Sequence, residues 1–267
     1  MKCIIINLET AKDRMNFMTK QMNKLSLKFL RINAIAENNL VLSNKKSYWN
    51  TWERPLKNTE KACLLSHINA WKSVVKNNRP ALILEDDALL SNDTKSVLNA
   101  ASVLQNMDLL SLEVRFRKKL LSKKREKLCF GYHYSKMYQN GSGAAAYILW
   151  PSGAKKLITY SKKHAALADA LISDCKKLKS FQIEPACALQ LDCLPIYGMR
   201  SPVEHFSIIN SGDNSNRPTY EKRMRLKFLR KRILSQLKKG LQIFFLMQKS
   251  EKRTIKLKIN KFEYLQE

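Results

Sequence analysis

The sequence has little glycine or proline, no paired cysteines and no long apolar run. Its 267 residues include only 7 Gly and 7 Pro, which excludes a collagen-like chain and a linker-rich chain. No segment approaches the ~20 apolar residues that cross a bilayer, and the apolar N-terminal stretch is too short for a signal peptide. The six cysteines are scattered without a Cys-x-x-Cys pair, so we expect buried thiols in a reducing, cytoplasmic compartment.

Acidic residues are scarce relative to basic ones. The chain has 22 Asp and Glu against 49 Lys and Arg, which gives a formal net charge of +27. A surplus of this size predicts an anionic partner, which could be nucleic acid, anionic lipid or a phosphorylated substrate. Hydrophobic residues still make up 45% of the chain, so we expect a folded globular protein with a substantial core.

The N-terminal half alternates predicted strands and helices. Apolar runs predict strands at residues 3–8, 29–34 and 81–84, and Thr10 is expected to cap the helix between the first two. Thr59 is expected to cap another helix, which begins before the third strand. A βαβ unit of this kind favours an α/β fold, in which helices flank a mostly parallel central sheet.

Fewer sequence patterns indicate secondary structure in the second half of the chain. We expect a helix around residues 93–107, strands at 109–116 and 129–134, and a helix at 151–161 that begins with proline. The run 115–127 holds eight basic residues and one acid, which is typical of a solvated loop.

Three consecutive carboxylates, Glu85, Asp86 and Asp87, follow the predicted strand 81–84. Open α/β sheets bind their ligands at the carboxyl ends of their strands. Adjacent acids repel one another least when a cation lies among them. The triplet therefore has two interpretations, a divalent-metal site that holds a diphosphate or a solvated corner at the end of a strand.

The C-terminal region has a different composition. Residues 217–239 contain ten basic residues and one acid, Glu221. Apolar residues recur among them at helical spacing, which predicts a basic amphipathic helix that lies on a membrane surface: Met224, Phe228, Leu229, Ile233, Leu234, Leu237 and Leu241. We therefore divide the chain into a domain at residues 1–215 and a tail at 216–267. A nucleic-acid-binding protein is the alternative, and its signature would be aromatics interleaved with the basic residues or a recognisable module. This helix instead carries mainly Leu, Ile and Met on one face, which favours lipid, so we expect no nucleic-acid partner.

Three blocks together resemble one known family. They are Ile6-Asn7-Leu8 with Asp13-Arg14, the segment Glu-Lys-Ala-Cys-Leu-Leu-Ser-His at 60–67, and Leu-Glu-Asp-Asp-Ala at 84–88. In this order and spacing the chain resembles glycosyltransferase family 25, and within it the lipooligosaccharide β-1,4-galactosyltransferases of Gram-negative bacteria. Many relatives carry two basic residues where this chain has Asp13-Arg14, and segment 109–134 is more basic than the family pattern.

The resemblance implies an enzyme with a single GT-A-like domain. The donor would be a nucleotide sugar, UDP-galactose first, and the cofactor Mn²⁺ or Mg²⁺. Transfer of the hexose would invert the anomeric carbon, and the acceptor would be a terminal sugar of lipooligosaccharide or lipopolysaccharide. UDP-glucose and a UDP-N-acetylhexosamine are the alternative donors. Such an enzyme would lie on the cytoplasmic face of the inner membrane, and the basic tail would contact its anionic surface.

The resemblance and the acidic triplet together suggest the metal ligands and the general base. Alternate residues of an extended stretch point the same way, so Asp87 and then Glu85 are assigned to the metal and diphosphate, whereas Asp86 is expected to point away from them and is left for the ribose. His205 is either a further metal ligand or a loop histidine without a special role. Asp169 is the first candidate for the general base and Glu113 the second, although each could instead be a structural carboxylate paired with a lysine. 

Further residues are expected to bind the nucleotide sugar. Asn7, Leu8 and Arg14 follow the first strand and would meet the nucleotide. Three residues of the second block would support or contact the donor phosphates, or serve only in packing: Glu60, Ser66 and His67. Gln190 is a weaker candidate for the same site.

Overall fold

The structure is a computed structural model, which describes residues 1–41, 46–140, 143–203 and 222–262. Within these residues the chain forms a mixed α/β fold in which helices flank a large central sheet. The helices are α1 Lys12–Lys24, α2 Lys46–Trp49, α3 Asn58–Asn77, α4 Thr94–Ala101, α5 Pro151–Ser161, α6 Ala168–Asp174 and α7 Lys222–Leu246. The strands are β1 Lys2–Asn7, β2 Phe29–Asn33, β3 Ala81–Glu85, β4 Ala88–Leu90, β5 Leu109–Ser111, β6 Glu113–Val114, β7 Lys119–Ser122, β8 Glu126–Cys129, β9 Tyr132–Gln139, β10 Ala146–Leu149, β11 Ser180–Glu184, β12 Ala188–Gln190 and β13 Ser250–Arg253.

The strands form two sheets in the described part of the chain. The large sheet has the order β13-β7-β9-β11-β5-β10-β3-β1-β2, and β8 pairs with β9 beside this path. The small sheet has the order β4-β12-β6. The chain leaves the large sheet for the small one three times, after β3, after β5 and after β11. The two sheets therefore meet where the acidic triplet and Glu113 lie.

The prediction of a mostly parallel sheet is right only in part. β1 pairs in parallel with β2 and β3, and β5 pairs in parallel with β11. The other pairings in the large sheet are antiparallel. The reason lies in the connections: α1 and α3 are crossover helices that bring the next strand back in parallel, whereas β8 and β9 are joined by a tight hairpin.

The core lies on both faces of the parallel half of the large sheet. Cys3, Ile4 and Ile5 of β1 are at most 1% exposed, as their β-branched run predicted. Met18 and Met22 of α1 and Trp71 of α3 are fully buried against this sheet. Four of the six cysteines are buried and all six are free thiols, which agrees with the prediction from their spacing.

Several predicted boundaries are wrong for local reasons. Thr10 does not cap α1, which begins at Lys12 without a side-chain cap. Thr59 lies inside α3 rather than at its cap, because Glu60 satisfies the start of this helix by accepting the backbone N–H of Lys57 at 2.8 Å. α4 ends at Ala101, six residues before the predicted end.

The basic middle segment differs most from its prediction. The predicted strand 109–116 is two strands, β5 and β6, because the chain changes sheets at Leu112. The predicted strand 129–134 spans the hairpin turn between β8 and β9. The predicted solvated loop 115–127 contains β7, where Lys119 is only 1% exposed. The buried strand β7 was therefore not predicted, because the run of basic residues around it favoured a solvated loop.

The predicted boundary at residue 215 lies outside the described residues and stays a prediction. Beyond it, α7 is followed by β13, which pairs with β7, and Arg253 forms an ion pair with Glu184 of β11. Ile255 and Phe262 are buried in the main core. Residues 250–262 are thus packed on the large sheet. Among the described helices, none combines the length and apolar character needed to cross a membrane.

Candidate active site

The candidate site is a cavity of approximately 380 Å³ at the junction of the two sheets. The carboxyl end of β3, the start of α3 and the start of α6 border it, as the topology of open α/β sheets favours. Nine of the residues predicted from the sequence line it. They are Leu8, Arg14, Ser66, His67, Glu85, Asp86, Asp87, Asp169 and Gln190.

The acidic triplet does not alternate as an extended strand would. β3 ends at Glu85, and Asp86 and Asp87 form the turn that leads to β4. The expectation that Asp86 points away from the other two is therefore wrong, because all three carboxylates border the same cavity.

Each carboxylate of the triplet has its own hydrogen-bond partner. Glu85 Oε1 lies 3.2 Å from His67 Nε2, and Asp87 Oδ2 accepts from Gln190 Nε2 at 3.2 Å. Asp86 accepts from Asn7 Nδ2 at 2.7 Å and from Arg14 Nη1 at 3.0 Å. These partners come from β1, α1, α3 and β12, so four separate elements fix the three side chains.

The negative charge of the triplet exceeds the positive charge of its hydrogen-bond partners. Burial, together with the neighbouring Glu85 and Asp86, raises the pKa of Asp87 to about 7. Burial also raises the pKa of Asp86, although Arg14 and Asn7 act against it. Such a cluster of carboxylates is a suitable donor set for a hard divalent cation, which would offset their repulsion. The residues present therefore fit the implied metal.

Asp169 also lines the cavity, from the first turn of α6. Its Oδ2 accepts the backbone N–H of Gly143 at 3.2 Å, and its Oδ1 accepts that of Ala170 at 2.7 Å. The side chain is half-buried. It therefore combines a fixed orientation with access to the cavity.

Glu113 lies behind the cavity lining and is only 1% exposed. Its Oε1 accepts the N–H of Ala145 at 3.0 Å, whereas Oε2 is buried and has no hydrogen-bond partner in the part of the chain that the structure describes. Burial raises the pKa of Glu113 to about 8 and lowers that of the nearby Lys119 to about 8. Gly143, at φ +102°, separates this carboxyl from the cavity, and a Cβ at that position would lie 2.6 Å from the Glu113 carboxyl.

Two further predicted residues serve the local fold. Ser66 donates to the carbonyl of Ala62 and accepts the N–H of Ile35, both at 2.8 Å, so it fixes the loop after β2 at the edge of the cavity. Glu60 is bound by both guanidinium nitrogens of Arg54, at 2.6 and 2.9 Å, and does not line the cavity. His205 lies outside the described residues.

Arg115 is a site residue that was not predicted, because it lies in the basic run interpreted as a loop. Arg115 lines the cavity, donates to Gln190 Oε1 and pairs with Asp192 at 2.6 Å. Because Gln190 in turn donates to Asp87, Arg115 is linked to the triplet through one side chain. Its position at the carboxyl end of a predicted strand was the available signal.

A carboxylate-lined cavity at the strand ends of an α/β sheet is typical of enzymes that bind nucleotides. The model of glycosyltransferase family 25, described as "Glycosyltransferase family 25 (LPS biosynthesis protein)", matches residues 1–172. The chain belongs to this family, and the resemblance found in its sequence blocks is confirmed.

Two curated proteins of Haemophilus influenzae are similar to this chain. One, named "Putative glycosyltransferase", is 26% identical over 197 residues, which cover 70% of this chain and 69% of that protein. The other, "Lipooligosaccharide biosynthesis protein lic2B", is 23% identical over 198 residues, which cover 70% of this chain and 74% of that protein. Among solved structures, the inositol-1-phosphate CTP transferase from T. maritima matches 72% of this chain and 70% of its own, with 12% identity and a TM-score of 0.37.

Proposed function

We propose that the protein is an inverting, GT-A-like glycosyltransferase that moves a hexose from a UDP-sugar to a terminal sugar of lipooligosaccharide or lipopolysaccharide. UDP-galactose is the first candidate donor. The observation that carries the proposal is one cavity lined by both the acidic triplet and Asp169, which belong to separate elements of the fold. Together with membership of the family, this supports a site for the leaving diphosphate at the triplet and a base for the attacking hydroxyl at Asp169.

Glu85 and Asp87 are the proposed ligands of Mn²⁺ or Mg²⁺. Both line the cavity, and the raised pKa of Asp87 marks the negative charge that a cation would offset. When bound, the ion supplies positive charge that neutralises the diphosphate as it leaves. His67 and Gln190 keep the two carboxylates in place.

Arg14, Asp86 and Leu8 are proposed to bind the nucleotide. Arg14 lines the cavity and uses Nη1 for Asp86, whereas its Nη2 is buried without a partner among the described residues. An oxygen of the nucleotide is the proposed partner of Nη2. Asp86 is the proposed partner of the ribose. Arg115 adds a second guanidinium at the cavity and is proposed to face the diphosphate.

Asp169 is the proposed general base. The base must reach the acceptor hydroxyl, and Asp169 lines the same cavity as the triplet with a half-buried side chain. Glu113 has the perturbed pKa, yet Gly143 lies between its carboxyl and the cavity. Glu113 is therefore proposed to hold the loop at Gly143–Ala145, and only Asp169 is proposed to accept the proton.

A donor screen tests the proposal. The full chain, incubated with a lipooligosaccharide acceptor and each UDP-sugar in turn, is expected to release UDP fastest from UDP-galactose. Because the metal neutralises the leaving diphosphate, EDTA should abolish release, and added Mn²⁺ or Mg²⁺ should restore it. UDP and the extended acceptor are both quantified. Absence of acceptor-dependent UDP release from every UDP-sugar would refute the proposed activity.

We also propose that α7 lies on the anionic cytoplasmic surface of the inner membrane. The apolar residues predicted for one face of this helix lie on two sides of it in the structure. Phe228 is 6% exposed and packs against the rest of the protein. On the same side, Lys231 donates to the carbonyls of Asn50 and Thr51 at 2.8 Å. Six apolar side chains form an outer stripe and are 49–68% exposed: Leu226, Leu229, Ile233, Leu237, Leu241 and Phe244. Exposed basic residues flank this outer stripe: Arg225, Lys227, Arg230, Arg232 and Lys238.

Substitution in the outer stripe is expected to release the protein from membranes. The double variant Ile233→Asp/Leu237→Asp places two acids on the stripe and should reduce co-sedimentation with phosphatidylglycerol-containing vesicles at least about tenfold, because it removes apolar burial and repels anionic lipid. Val103→Asp, at an apolar residue that is 78% exposed elsewhere, is the matched control and should bind normally. Truncation at residue 215 is unsuitable because it also removes β13 and the buried Phe262.

Unchanged vesicle binding by the double variant would contradict the role of the outer stripe. Binding of random DNA that persists at physiological salt, without turnover of any UDP-sugar, would instead favour the nucleic-acid alternative for the basic surface.

A further inference from the structure

A line of hydrogen bonds runs from the core to the acidic triplet. Trp71 Nε1 donates to Tyr147 Oη at 2.8 Å, and Tyr147 Oη lies 2.9 Å from His67 Nδ1. His67 Nε2 then lies 3.2 Å from Glu85 Oε1. Trp71, Tyr147 and His67 are at most 2% exposed, so water does not compete for these bonds.

The chemistry of Trp71 fixes the direction of the line. An indole N–H can only donate, so Tyr147 Oη accepts this bond. The hydroxyl proton of Tyr147 then has one partner within the described residues, which is His67 Nδ1. Leaving a buried hydroxyl proton without a partner costs about 1–3 kcal/mol, so the proton points to Nδ1. A neutral imidazole that accepts at Nδ1 carries its own proton on Nε2.

We infer that the Trp71–Tyr147–His67 line holds His67 in the Nε2–H form as a fixed donor to Glu85, and that His67 is thereby a positioning residue for this carboxylate. Glu85 Oε1 is committed to His67, which leaves Oε2 for a cation. This role rests on the proposed metal-dependent function, in which Glu85 is a ligand.

The direction of these hydrogen bonds also decides whether a second metal site can form beside His67. One donor atom from each of Cys63, His67 and Glu85 lies within 4.8 Å of the others, a spacing that would suit a thiophilic ion such as Zn²⁺. Binding there requires the lone pair of His67 Nε2. Since Nε2 carries the proton, the trio is not a preformed zinc site, and the cation belongs with the carboxylates.

The tautomer can be measured without any turnover. Long-range ¹H–¹⁵N NMR spectra of the metal-free full chain distinguish Nε2–H from Nδ1–H in each of its four histidines, and the signal missing in His67→Gln identifies His67. The expected form is Nε2–H, and it should persist after addition of Zn²⁺. Detection of the Nδ1–H form, or loss of the Nε2 proton with Zn²⁺ in wild type but not in Cys63→Ser, overturns the inference.

The positioning role is measured as Mn²⁺ affinity in the presence of UDP. His67→Leu removes the donor to Glu85 and should weaken Mn²⁺ binding roughly 10–100-fold, the usual effect of losing such a supporting bond. His67→Gln places an amide N–H near the position of Nε2 and should restore most of this affinity. Tyr147→Phe should show a smaller loss. Tyr160 also stacks on a histidine, His164. Tyr160→Phe is therefore the matched control and should bind Mn²⁺ as wild type does.

The outcomes separate this inference from the proposed function. Equal Mn²⁺ affinity in wild type and His67→Leu overturns the positioning role, even if UDP-sugar turnover is observed. A wild-type protein that binds no Mn²⁺ removes the metal from the proposed function and the positioning role with it, while the tautomer spectrum still decides the direction of the hydrogen bonds. Tyr147→Phe retains the apolar ring, so it serves as the second variant if His67→Leu fails to fold.

Discussion

The variant Asp87→Asn is expected to lose about 10²–10³-fold in sugar transfer while its fold persists, because it removes one negative charge from the proposed cation site without changing the size of the side chain. Transfer is measured as acceptor-dependent UDP release at saturating Mn²⁺. Asp174→Asn is the matched control. Burial raises the pKa of Asp174 too, but this residue does not line the cavity, so transfer should be unchanged.

The same variant should be more stable than wild type in EDTA at pH 8. The pKa of Asp87 is about 7 in the folded protein but near 4 in an unfolded chain, so wild-type stability falls as the pH rises between these values. Asparagine cannot ionise, and its advantage should therefore be on the order of 2–4 kcal/mol at pH 8 and vanish near pH 4. Urea unfolding at both pH values measures it. Unchanged transfer, or a variant less stable than wild type at pH 8, would contradict the placement of Asp87 in an electrostatically strained site.

Replacement of the two candidate bases is expected to give unequal losses. Asp169→Asn should lower kcat about 10²–10⁴-fold with little change in UDP binding, because asparagine keeps the shape of the side chain but cannot accept the proton of the acceptor hydroxyl. Glu113→Gln should stay within about tenfold of wild type, because its amide oxygen can still accept the N–H of Ala145. Steady-state kinetics and UDP titration measure both effects.

The comparison of these two variants decides the assignment. A large loss in Glu113→Gln together with near-normal turnover in Asp169→Asn would reverse the roles of the two carboxylates. Equal small losses would exclude both residues as the base. Circular dichroism spectra that match the wild type are required of each variant, since Glu113 is buried at the loop that borders the cavity.

Local patterns were sufficient for the parallel half of the fold. The β-branched run of β1 and the apolar run of β3 predicted buried strands, and the helix from Pro151 to Ser161 was predicted with its observed bounds. The antiparallel half could not be predicted in the same way. β10 lies between β3 and β5, and no local pattern specifies pairing between strands so distant in sequence.

The site was predictable in its residue types and less so in its contacts. The triplet was found at the end of a predicted strand, Asp169 and Gln190 were suggested by the family resemblance, and the structure gathers them around one cavity. Their partners are distant in sequence, such as Gln190 for Asp87, and only the folded chain identifies them. The burial of Lys119 was not predicted, because its basic neighbours favoured a solvated loop. In the structure Gln182 and Ser111 accept hydrogen bonds from its buried ammonium group.

The position of β13 has a consequence for the order of folding during synthesis. β13 is the outermost strand beside β7, yet it follows α7 in the chain. The ribosome therefore releases β7, β9 and the whole of α7 before β13 exists. Until residues 250–253 emerge, the side of β7 that faces away from β9 is an unpaired sheet edge, which is the kind of edge that joins strands of other chains. A nascent or prematurely terminated chain that ends in α7 is therefore expected to aggregate more readily than the full chain.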